Sequence, residues 1–435
     1  MKKGLTILTK AILLVIALTI INCILLVLAF CLPTGPMRRH VAESHYLIEG
    51  EDPYLEWIWG YANTRVDFWS EFSEYGMAIN EDSEGSAFEQ AMMMRFIDTN
   101  GMERDASVDS YAYDPSAYFE QNIYPRYWNG IVIFYKLLLL FFNISNIRML
   151  NMFLQISLLA FIVYLMTKKG YDRHIIPFIT AILFINPVTM LLSLKFSSEY
   201  VPMLLSIILI LTIGDRIDRI QGGWYYFFAL TGSVISFLCM LSFPGIGLGI
   251  PLVFYLWHTK ETNMVRNIVV NSISWGIGYA ITWVMKWVIC TLFTDYNLIE
   301  DVISRIGLYE KEASDATLME RLSVNLWPYL TSVHAVLFLA AVIFILLGTI
   351  YSLKKNSSSV VQMNYNSTSS PKVLDRLAGY FLVLLIPFAF IIGLGNGYAY
   401  FHYYMAHRHF AIAVMALLCM IEVSMDIIIS KSRKS

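Results

Sequence analysis

Charge is what this sequence lacks most. Lys, Arg, Asp and Glu supply 15% of its 435 residues, whereas 57% are hydrophobic and the mean hydropathy is +0.57. A water-soluble globule carries about a quarter charged residues, so water is excluded as the solvent for most of the chain. Cysteine is also sparse. Cys23, Cys31, Cys239, Cys290 and Cys419 lie in or at the edge of apolar segments, with no C-x-x-C spacing, which argues against a zinc site or a disulfide framework. No fixed-period repeat runs through the chain, and its halves show no inverted symmetry of the transporter kind. The glycine run Gly245-Ile246-Gly247-Leu248-Gly249 sits between apolar segments with no Lys after it. It is therefore not a nucleotide loop, and close helix approach is the simpler use for it.

What the chain does have is long apolar runs. Crossing about 30 Å of hydrocarbon takes about 20 apolar residues, and such runs lie near 11–32, 147–167, 173–193, 199–213, 224–243, 246–258, 267–293, 328–353, 376–396 and 405–429. The expected fold is an all-α polytopic membrane protein with about ten transmembrane helices. The segment Ile131 to Phe142 is too short to span and is expected to lie flat as an amphipathic surface helix. The basic clusters Lys168, Lys169, Arg173; Arg216, Arg219; Lys260, Arg266; Lys354, Lys355; and Lys431, Arg433, Lys434 then share one side. By the positive-inside rule that side is cytoplasmic, with both termini inside and the protein multi-pass in the plasma membrane.

The expected layout is a first transmembrane helix at 1–32 and an outer acidic loop domain at 33–146 with the amphipathic helix near 129–143. A six-helix transmembrane module follows at 147–293, then an outer loop at 294–327. A three-helix region at 328–435 closes the chain, with a polar cytoplasmic linker at 354–375. Residues 33–128 hold 18 Asp and Glu against 6 Arg and no Lys. Their many aromatics, among them Tyr54, Trp57, Trp59, Phe68, Trp69, Phe72 and Tyr75, point to a folded cap rather than a solvated tail.

The order of parts carries a resemblance, together with the words Tyr124-Pro125-Arg126-Tyr127-Trp128-Asn129-Gly130, Ile147-Arg148, Lys168-Lys169, Asn186-Pro187 and Met405-Ala406-His407-Arg408-His409-Phe410. The chain resembles the GT-C superfamily of membrane glycosyltransferases, which includes protein mannosyltransferases and lipid A aminoarabinose transferases, and bacterial membrane proteins of this layout. The resemblance implies transfer of a sugar from a polyprenyl-phosphate-linked donor to an envelope glycan, lipid or protein acceptor on the outer face. Membrane lipid and the lipid-linked sugar are the implied partners; no nucleic acid, metal or resident cofactor is implied. In the family the base is a carboxylate of the first outer loop, often an acidic pair close behind the first helix. Here Met37-Arg38-Arg39 occupies that stretch and the first carboxylate is Glu43.

Such a transfer needs one carboxylate to take the acceptor proton and positive charge for the leaving phosphate. Asp67 and Glu71 stand four apart, on one face if the stretch is helical, and are the catalytic candidates; they read equally as solvated members of an acidic domain. Glu43, Glu51 and Asp52 are in reserve. Candidate donor-phosphate ligands are Arg126, Lys195, Lys286, His402 and Arg408, all expected near the outer interface, with snorkelling as the plainer reading of Arg126 and Lys195. Glu199 is expected to pair with Lys195 four residues earlier. A transporter or flippase for an envelope lipid or polymer, and a receptor or scaffold using the acidic cap, are the rival classes.

Overall fold

The computed structural model describes residues 2–81, 85–97, 104–116, 121–312, 316–330, 332–355, 371–393 and 399–432. Within them the chain is an all-α membrane protein, apart from one short antiparallel pair, β1 (Arg95–Ile97) with β2 (Gln121–Ile123). Among the described residues, seven helices are long and apolar enough to cross a membrane, and two shorter apolar helices accompany them.

The first, α1 (Lys2–Phe30), leads into the acidic segment. There α2 (Thr34–Ala42), α3 (His45–Glu49), α4 (Phe68–Ile79), α5 (Ala87–Met93) and α6 (Arg104–Tyr113) form a folded cap. Its centre is α4, buried from Glu71 through Ile79 and packed on α2, α6, β1 and α7 (Val132–Leu139). Of the aromatics, Phe68, Phe72 and Tyr75 fill this core, whereas Trp59 stays 95% exposed.

The surface helix expected near 129–143 is α7, and its polarity is reversed. Lys136 is buried and donates to the Ala78 carbonyl at 2.8 Å, while Phe134, Leu137 and Phe141 face outward. That pattern suits a helix whose surroundings are apolar.

The bundle follows: α8 (Ile144–Lys168), α9 (Ile175–Ile185), α10 (Pro187–Leu192), α11 (Ser197–Asp218), α12 (Gly223–Leu238), α13 (Ile246–His258) and α14 (Met264–Phe293). The continuous span expected at 173–193 is instead two helices. Pro187 cannot continue the hydrogen-bond ladder, and Asn186 takes a left-handed conformation (φ 69°) that ends α9 while its side chain caps α10 at the Thr189 N–H. The short segment 246–258 is α13, buried from Ile246 to Trp257. It is apolar on all sides because helices surround it. Added Cβ atoms on Gly247 and Gly249 would meet Ile235 and Ile412 at 2.0 and 2.3 Å, so the glycine run does permit close helix approach.

The remaining helices are α15 (Leu298–Glu312), α16 (Leu318–Leu330), α17 (Val333–Lys355), α18 (Pro371–Gly393), a short turn Tyr403–Ala406 and a last helix, Phe410–Ser432. The last helix packs along α18 and α9. The centre of the polar linker, residues 356–370, lies outside the described residues.

Candidate functional site

The acids of α4 are not solvated. Asp67, Glu71 and Glu74 stand at positions i, i+4 and i+7 on one helical face, and that face is turned into the molecule with all three carboxylates buried. Burying a carboxylate is costly unless hydrogen bonds and cations offset it. Each of the three is offset differently, and the differences sort structural roles from available ones.

Glu71 is fully engaged. One oxygen accepts the Leu194 N–H at 2.9 Å and the Tyr135 hydroxyl at 3.3 Å, and the other takes Arg148 Nη2 at 3.2 Å. Arg148, on α8, also grips Glu51 through both Nη atoms and stacks over Phe68 at 4.4 Å. Burial raises the Glu71 carboxyl above its usual range and Arg148 partly reverses this. Glu71 thus bolts the cap to the bundle, with both carboxylate oxygens already engaged by donors.

Asp67 is different. Its Oδ1 caps α4 by accepting the Ser70 N–H at 3.2 Å, while Oδ2 is buried, has no hydrogen-bond donor among the described residues, and lies 3.8 Å from Lys195 Nζ. Lys195 sits in the turn between α10 and α11, and its ion-pair partner is Asp67 rather than the expected Glu199. Glu199 instead accepts the Phe243 N–H at 3.0 Å. Burial pulls the Lys195 ammonium down, but Asp67, Glu74 and Glu199 outweigh it and leave its pKa raised. Glu74 lies in the same patch, with its carboxyl pushed up to about 8 by burial, Lys195 partly opposing.

The other candidate cations have committed donors. Arg408 sends Nε to the Ile185 carbonyl (3.2 Å), Nη1 to Tyr404 O (2.6 Å) and Nη2 to Arg65 O (3.2 Å), between the rings of Phe196 and Phe243. It staples the end of α9 to the cap and to the last helical turns, within electrostatic reach of Asp67 and Glu199. Lys286 donates to the Ala91 and Met92 carbonyls at 3.1 and 2.8 Å and so closes the C-terminal end of α5, where the helix dipole favours a cation. Arg126 pairs with Asp301 at 3.2 Å and lies over Tyr124. His402 lies close enough to Asp67 and Lys195 to feel both, and burial holds its imidazole below the usual value.

Asp67, Lys195, His402 and Arg408 therefore converge where the cap meets the bundle, and Lys286 and Arg126 serve other contacts. Of the reserve acids, Glu51 belongs to Arg148, while Glu43 and Asp52 are exposed. Arg38, in the basic stretch behind α1, pairs with Glu81 at 2.5 Å.

No protein-family model, curated protein or solved structure matches this chain. The site must therefore be read on its own chemistry.

Two features lie elsewhere. Among the described residues, Asp215, Asp218 and His258 form the one group whose ligand atoms lie close enough to hold a metal, within 4.8 Å of one another. Asp215 and Asp218 sit at the far end of α11, about 30 Å from Glu199 at 1.5 Å per residue, and His258 ends α13. Two grooves, of about 640 and 220 Å³, flank the first half of α1. Sequence reasoning passed over Glu74, although its i+7 spacing from Asp67 was there to read. Nothing in the linear order pairs Arg148 with Glu71 or Arg408 with backbone carbonyls.

Proposed function

We propose that the chain is a membrane glycosyltransferase that moves a sugar from a polyprenyl-phosphate-linked donor to an envelope glycan, lipid or protein acceptor. The catalytic face is the outer one, in the plasma membrane, with both termini cytoplasmic. The observation that carries the reading is the Asp67–Lys195 pair: among the described residues, a buried carboxylate oxygen without a hydrogen-bond donor faces an ammonium that lies 3.8 Å from it and 3.9 Å from the Met240 sulfur.

In this reading Asp67 Oδ2 takes the proton of the acceptor hydroxyl as the new glycosidic bond forms. Lys195 stabilises the charge gathering on the departing phosphate. Arg408 adds positive field and His402 a nearby imidazole, while Glu71 and Arg148 hold α4 in register. Closing such a pair away from water strengthens its electrostatics, and substrate entry then requires the cap to shift against the bundle.

The test is transfer by purified full-length protein from a panel of polyprenyl-phosphate sugars. Asp67→Asn should lower turnover per folded molecule about 10²- to 10⁴-fold, the range for loss of a general base, with a lower unfolding midpoint because buried Lys195 loses its ion-pair partner. Wild-type turnover in Asp67→Asn refutes the assignment. One observation favours a second reading, transport of an envelope lipid or polymer: the helix broken at Asn186-Pro187, followed after α10 by the Leu194 N–H on buried Glu71, is a device of transporters. Uptake into proteoliposomes with no transfer product would select it.

A further inference from the structure

We infer that the larger groove beside α1 is a binding site for one anionic two-chain phospholipid, with its phosphate held by Lys3 and Lys10. The groove holds about 640 Å³ and runs between α1 and the connection from α11 to α12. Lys3 and Lys10 line it on one side, Gln221 and Tyr226 on the other, and Leu13 and Leu14 continue it along the helix.

The two lysines are seven residues apart, two helical turns, so they share one face. Side chains on a helix tilt toward its start, and a lysine in an apolar setting stretches its stem toward the polar interface. The lysines' Cα atoms are about 10 Å apart along the axis, and each ammonium swings on a flexible four-carbon stem, so both can reach one phosphate seated between them. Neither lysine has a carboxylate within ion-pair distance among the described residues, and both are exposed. Leu13 and Leu14 lie one turn deeper on a helix apolar enough to span the membrane, so the polar end of the groove opens into a surface for acyl chains. This order, cations and then exposed leucines along one stripe, matches a lipid rather than a soluble anion.

Arg266 strengthens the charge argument. It lines the smaller groove on the other side of Ile7, at the same end of the bundle. Clusters of Lys and Arg at a membrane end attract anionic headgroups. The site lies at the end of α1 remote from the cap and is independent of the transferase reading.

The test uses full-length protein in nanodiscs of equal phosphatidylglycerol and phosphatidylcholine, with the retained lipid counted by native mass spectrometry after release. Wild type should retain phosphatidylglycerol about thirtyfold over phosphatidylcholine, as expected for two lysines near a headgroup. Lys3→Ala/Lys10→Ala should lose the preference, and Lys3→Arg/Lys10→Arg should keep it. Three results overturn the assignment: no headgroup preference in wild type, a preference that survives the alanine pair, or displacement of phosphatidylglycerol by millimolar inorganic phosphate. The last would give the lysines to a soluble anion.

Discussion

Replacing Arg148 by Met tests whether the buried carboxylates of α4 are held in place by cations from the bundle. The guanidinium meets Glu71 at 3.2 Å and Glu51 at 2.9 Å, and Glu71 is fully buried. Removing one partner of a buried pair costs about 3 to 5 kcal/mol, because the other charge is left without compensation. Here Glu71 keeps the Leu194 N–H and the Tyr135 hydroxyl, so the expected loss is at the lower end, about 3 kcal/mol. Methionine retains much of the packing over Phe68, which keeps the measurement electrostatic.

The pH dependence follows from the sign of the Glu71 shift. Its folded pKa is raised by burial above the unfolded 4.5, and loss of Arg148 removes the counter-effect. A carboxyl with a raised folded pKa contributes stability that is present at low pH and lost as pH rises through the folded value. The penalty of Arg148→Met should therefore be smaller at about pH 5 than at about pH 8. Adding Glu71→Gln should recover more than half of it at pH 8, because the neutral amide needs no cation. The assay is thermal unfolding of the purified protein in detergent, for the two single variants and the double. A pH-independent penalty, or a double variant no better than Arg148→Met alone, refutes the reasoning.

Glu74→Gln should flatten the pH profile of stability. The wild-type carboxyl keeps its proton up to about 8 when folded, so stability falls by up to about 1.4 kcal/mol per pH unit from the unfolded value toward 8, and unfolding midpoints at three pH values would show the slope disappear. Lys286→Met should destabilise by about 1 to 3 kcal/mol by leaving the Ala91 and Met92 carbonyls unpaired, read as a lower unfolding midpoint, while leaving transfer kinetics per folded molecule unchanged. Asn186→Ala should cost about 2 kcal/mol, combining the left-handed backbone and the lost cap of α10, and Asn186→Gly should cost less than half of that in the same melt.

The apolar runs made most of the helices legible, because a membrane span announces itself through length and composition alone. The break at Asn186-Pro187 was written in the sequence too, but a continuous apolar run around it outweighed a single helix-stopping pair. Asp67 and Glu71 were picked out by their spacing. Whether they were solvated or buried could not be read locally, since burial depends on Arg148 and Lys195 arriving from other helices. Lys286 and Arg408 signalled importance by being charged within apolar segments. Their partners are backbone carbonyls of Ala91, Met92, Ile185, Tyr404 and Arg65, and a carbonyl carries no mark in a sequence.

The order in which the charges are made has a consequence for biogenesis. A ribosome delivers Asp67, Glu71 and Glu74 before any of Arg148, Lys195 and Arg408 exists, so the face of α4 that ends up buried emerges with none of its counter-charges. The Arg408 contact to Arg65 spans 343 positions, and loops of that length close late. The seam between cap and bundle, rather than the cap's own core, is thus among the last parts to settle, and a nascent chain stalled before Arg408 presents that seam without its last cation.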